Sequence, residues 1–183
     1  MDVINRAIAL KKGNSSSLLM EKKEISPCIF LIHHSATLNA TKTIGDYITQ
    51  RGQVDIYLDL SKGIDMVAPG ESFLQIFAEG FSWSSHVMIL SLPDSSHFER
   101  LTSLLSHMQK SSIPSSLLLL KDHPPFSIPP GMEILGGIKS LNEYLMRISP
   151  ESNAIIFNNL DYNGLLAHTA PHHPLDDHLN WKD

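Results

Sequence analysis

The sequence has only one cysteine, Cys28, and no dense run of lysine or arginine. A single thiol inside an apolar stretch builds neither a disulfide framework nor a paired-cysteine metal site, and it fits a reducing compartment. The missing basic run, with a formal charge of −5, argues against nucleic acid as the main partner. No apolar stretch approaches the roughly 20 residues that span a bilayer. At the N-terminus, MDVINRAIALKKGNSSS, the lysines follow the short apolar patch, the reverse of a secretory signal. These absences predict a soluble, cytoplasmic protein with no membrane partner. The loops GxGxxG and GxxxxGK and the elbow GxSxG are missing too, which disfavours a dinucleotide-dependent dehydrogenase, a P-loop NTPase and an α/β-hydrolase.

What is present is alternation. With 42% hydrophobic residues the chain can build a core. CIFLIH (28–33) is a continuous apolar run of strand length, as expected when both faces of a sheet are covered. Ala40, Ile44, Tyr47 and Ile48 follow at helical spacing over 38–51, with Gly52 as the stop. VDIYL (54–58) reads as a second strand ending at Asp59, and a loop runs to Gly70. Phe73, Phe77 and Phe81 mark a helix that buries one stripe. HVMILS (86–91) is a third strand, and Phe98, Leu101, Leu105 and Met108 a third helix. SSLLLLK (115–121) and the short MEIL (132–135) complete five strands, separated by the proline-rich DHPPFSIPPG, which cannot be regular. Ser140 and Glu143 form a capping-box pattern before Leu141, Tyr144, Leu145 and Ile148, a last helix. Residues 1–26 read as an extension, 27–150 as the domain and 151–183 as a polar, His- and Pro-containing surface tail.

Alternating strands and helices predict an α/β fold with a parallel sheet, whose ligands bind outside the carboxyl ends of the strands. Those ends deliver His33, His34 and Ser35, then Asp59, then Ser91. Imidazole and hydroxyl groups there can line a nucleotide pocket. The plainer readings are a histidine bonded to a neighbouring loop and a turn-forming aspartate. His33 should face away from His34 because strand side chains alternate. Trp83, just before the third strand, can stack on a base, though a core or rim aromatic is the commoner use. In the tail, His168, His172, His173 and His178 with Asp176 and Asp177 are metal-ligand types, but Pro171 and Pro174 break any helical alignment, and no metal is expected.

Five stretches fall in an order that resembles Toll/interleukin-1 receptor (TIR) domains of the bacterial type: LIHHSA, YLD at 57–59, APGES at 68–72, SSHVMILS at 84–91 and SIPPGMEIL at 127–135. The resemblance covers roughly residues 27–148. It implies a flavodoxin-like fold, a five-stranded parallel sheet with helices on both faces. It also implies one of two kinds of work. Some members cleave the nicotinamide–ribose bond of NAD, taken as substrate and not as cofactor; stand-alone bacterial members include the signal-producing subunits of Thoeris antiphage systems. Others are silent scaffolds that assemble through TIR–TIR contacts. The family's enzymes place a glutamate on the third helix, after a serine and an aromatic. Here Ser96 and Phe98 match the latter two, Thr102 stands where the acid is expected, and Glu99 is the only acid between Ser95 and Lys121, so Glu99 is the catalytic candidate. The loop 60–70 is expected to gate the pocket and to touch a neighbouring protomer. A receiver domain would need paired acids where His33 and His34 stand. A nucleoside deoxyribosyltransferase would share the pocket logic.

Overall fold

The computed structural model describes residues 27–52, 54–60, 63–68, 73–91, 106, 112–123, 131–149 and 173–181. Five strands form one parallel sheet: β1 (Cys28–Ile32), β2 (Asp55–Tyr57), β3 (His86–Leu90), β4 (Ser115–Leu118) and β5 (Glu133–Leu135), in spatial order β2-β1-β3-β4-β5. Helices α1 (Leu38–Gly52), α2 (Phe73–Trp83) and α3 (Ile138–Ile148) are among the described residues. Of the helix expected from Phe98 to Met108, only Ser106 is described, and it is helical; Glu99 and the rest lie outside the described residues, as do 1–26 and 150–172.

The sheet is covered on both faces, which explains why β1 is apolar throughout. Its alternate side chains go to different cores. Ile29 and Leu31 join Met88, Leu90, Leu118 and Leu135 under α1 and α3, while Cys28, Phe30 and Ile32 join Val87, Ile89 and Leu117 under α2. All five β1 residues are buried, Cys28 included, and burial pushes its thiol pKa upward. α1 presents Ile44, Tyr47 and Ile48 to the core, as their spacing predicts. α1 and α3 are joined by a buried hydrogen bond, from the Tyr47 hydroxyl to Asn142 Oδ1 at 2.7 Å. Tyr47→Phe leaves that acceptor buried without its donor. It should lower unfolding free energy by about 1–2 kcal/mol, read from a denaturant midpoint at unchanged slope.

Two local expectations are corrected. The last helix starts at Ile138, with Gly137 as its cap, so Ser140 is the third helical residue; its hydroxyl accepts from Gly137 N–H at 3.1 Å, and Glu143 pairs with Lys139 instead. Residues 173–181 are not a solvent-facing tail. Leu175 and Leu179 are fully buried in the α1–α3 core, and His178 O and Asn180 O accept from Lys121 N–H and Ile138 N–H, both at 2.8 Å. The leucines are four residues apart, so one turn of chain sets both on the same side.

Candidate functional site

The strand order reverses between β1 and β3: the chain leaves β1 toward β2 and returns on the other side. In open α/β sheets the loops diverge there and leave a crevice at the carboxyl ends. β1 delivers His33, His34 and Ser35 to this edge. His33 is turned inward, 2% exposed, and desolvation lowers its pKa against the pull of Asp65 and Asp59. His34 faces the opposite side, partly buried, and caps the 3-10 turn Ser35–Thr37: its Nδ1 accepts from Ala36 N–H at 3.1 Å.

The centre of the site is a residue that the sequence pattern did not single out. After β2, a 3-10 turn, Ile64–Met66, folds back onto the tip of β1. Ile64 is fully buried, and its N–H donates to His33 O at 2.8 Å. That anchor swings Asp65 across Ser35. Asp65 Oδ1 accepts from Ser35 N–H at 2.8 Å, Oδ2 accepts from the Ser35 hydroxyl, and Oδ1 stands 3.8 Å from His34 Nδ1. Partial burial pulls the Asp65 pKa upward, but the hydrogen bonds from the Ser35 hydroxyl and N–H, its own N–H and nearby His34 together hold it below the usual carboxylate value. Gly63 makes the approach possible. A Cβ there would lie 2.6 Å from Asp65 Oδ1 and 2.9 Å from Ser35 N. The cue in the sequence is Ile64, a β-branched apolar residue directly after Gly63 in the loop.

The other expected residues divide. Asp59 lies just past β2 and is close enough for His33 to feel its charge. Ser91 follows β3 and is buried; its hydroxyl accepts from Leu120 N–H at 2.8 Å and its own N–H donates to Leu118 O, so it stitches β3 to β4. Trp83 ends α2, three residues before β3 begins, which puts it at the amino edge of the sheet, away from the crevice. It is a rim aromatic, 39% exposed. Glu99 lies outside the described residues.

On the other side of the β1 tip, starting one residue beyond Ser35, a cavity of about 190 Å³ lies between the start of α1, the turn after β4 and the docked C-terminal segment. Its lining combines Lys121, Asp122 and Asp177 with the imidazoles of His123 and His178. The 3-10 turn that leads into α1 is not an anion cradle, because Ser35, Ala36, Thr37 and Leu38 N–H groups already donate to Asp65, His34 Nδ1, His34 O and Ser35 O. Among the described residues no three His, Cys, Asp or Glu side chains converge to hold a metal, and no helix is long and apolar enough to cross a membrane.

Comparison of the chain with protein-family models, with curated proteins and with solved structures returns no match. The class defined by the fold is therefore a parallel α/β domain with a polar cluster at its switch point.

Proposed function

We propose that this chain is a flavodoxin-like TIR-type domain that takes NAD at the carboxyl edge of its sheet and cleaves the nicotinamide–ribose bond. One observation carries the reading: His34, Ser35 and an ionised Asp65 meet at the tip of β1, beside the reversal of strand order, where such sheets bind nucleotides. The neighbouring cavity, about 190 Å³, has room for only a small part of a dinucleotide, so the rest would lie over the open edge of the sheet.

The chemistry asks little of the protein. The C–N bond breaks with its electron pair going to the pyridine nitrogen, so cationic nicotinamide leaves neutral and needs no proton. Positive charge develops on the ribose carbon and its ring oxygen, and a carboxylate nearby lowers that barrier. Water then adds to the carbon and loses a proton, giving ADP-ribose. A nucleophile within the same molecule in place of water gives a cyclic product suited to signalling, as in antiphage defence. By the resemblance, Glu99 supplies the carboxylate. The purified full chain at high concentration, with NAD, should release nicotinamide, and Glu99→Gln should slow release by a factor on the order of 10² or more, followed by mass spectrometry. Equal NAD loss in both proteins removes Glu99 from the mechanism.

A second reading, a silent scaffold working through TIR–TIR contacts, is favoured by Met66 and Leu60, which stand 60% and 37% exposed on the loop after β2. It gains the field if NAD is untouched while the chain self-associates with concentration and Met66→Asp abolishes association.

A further inference from the structure

We infer that Asp65 is the group that takes the ribose hydroxyls next to the nicotinamide, with the Ser35 hydroxyl as their placeholder. The inference rests on the NAD reading above and names the part of the ligand that meets the β1 tip. An ionised carboxylate only accepts hydrogen bonds, and it repels phosphate. Its ligand must therefore bring donors, positive charge, or both. Of the parts of NAD, the nicotinamide riboside end has both, a vicinal diol beside a cationic ring, whereas the diphosphate has neither. The diphosphate accordingly lies away from Asp65.

The geometry gives a route for exchange. Two bonds hold Asp65 to Ser35 and they differ in kind. The backbone N–H at 2.8 Å is fixed by the turn that His34 caps and keeps the carboxylate in place. The Ser35 hydroxyl is on an exposed residue and rotates about one bond. Replacing that O–H donor with a sugar O–H swaps one charge-assisted hydrogen bond for another, close to neutral in free energy. The carboxylate is preorganised: Ile64, buried and bonded to His33 O, fixes the turn that carries it.

The test is titration calorimetry of the purified full chain with NAD, nicotinamide riboside and nicotinamide 2′-deoxyriboside, for wild type, Asp65→Asn and Ser35→Ala. Wild type should prefer the riboside over its deoxy analogue at least about tenfold, the worth of a hydrogen bond to a charged group. Asp65→Asn should erase most of that preference, and Ser35→Ala, which removes only the placeholder, should keep it. If Asp65 serves the loop alone, both substitutions weaken binding alike and neither changes the preference, which overturns the inference. Wild type that binds NAD without distinguishing the two ribosides overturns it while leaving the NAD reading intact. Wild type that binds none of the three overturns both. Should Asp65→Asn fail to fold, Asp65→Glu, which keeps the charge but displaces the carboxylate from the Ser35 N–H, takes its place: a weakened riboside preference supports the inference and an unchanged one overturns it.

Discussion

Gly80→Leu should leave the chain without a stable native state. Gly80 lies in α2 against β1, and a Cβ built there falls 2.6 Å from Cε1 and Cζ of Phe30 and 2.8 Å from Cδ1. The ring cannot swing aside. Phe30 is 2% exposed and packed edge-on against Tyr57 at 5.4 Å and Phe81 at 5.4 Å, with Phe77 at 5.7 Å. A single methyl already sets two effects against each other: alanine gains about 1 kcal/mol of helix propensity over glycine, and overpacking costs about 1–3 kcal/mol. The contact distance puts Gly80→Ala on the losing side, a net loss of about 1–2 kcal/mol. Leucine adds three further carbons with nowhere to go, and a loss of about 4 kcal/mol or more is expected, a large share of a domain's stability. Circular dichroism melts of both variants check the order. Phe30→Leu should restore part of what Gly80→Ala loses, because it vacates the colliding ring atoms; additive losses would contradict the packing argument.

Gly63→Ala should cost about 2–3 kcal/mol of stability and, on the proposed function, lower NAD turnover at least about tenfold. The reason is not backbone conformation, since Gly63 sits at φ −72° and ψ 155°, open to any residue. It is space. The new methyl meets Ser35 N, which is backbone and cannot yield, and Asp65 Oδ1, which can yield only by giving up Ser35 N–H. Either the carboxylate leaves the β1 tip or the turn lifts and exposes Ile64. Both outcomes dismantle the cluster. Urea unfolding with NAD consumption on the same samples checks the pair; full turnover by a stable Gly63→Ala protein would mean that the cluster is not where the chemistry happens.

The strands were legible because both faces of the sheet are covered. CIFLI and VMIL are apolar runs in which each successive residue feeds a different core. The helices showed through three- and four-residue spacing, as in Ile44, Tyr47 and Ile48. The order β2-β1-β3-β4-β5 was not legible, since periodicity is blind to which strands pair. His33, His34, Ser35 and Asp59 follow directly from where strands end. Asp65 was hidden because a turn residue has no period, and its role depends on a buried neighbour pulling the loop inward. Trp83 takes the commoner of its two uses, a rim aromatic, because its place just before β3 sets it at the amino edge of the sheet. The C-terminal segment misled because its charges and prolines mask two leucines, while burial is decided by those two side chains alone.

That segment also sets an order of events in folding. Tyr47 and His173 touch at 5.3 Å although more than a hundred residues separate them in sequence. A contact of that span closes a very long loop, so it forms late, after the sheet has offered a surface to land on. Until then the α1–α3 core stands open along one seam. The interval between sheet assembly and sealing of that seam is when a nascent chain is most exposed to sticking to its neighbours.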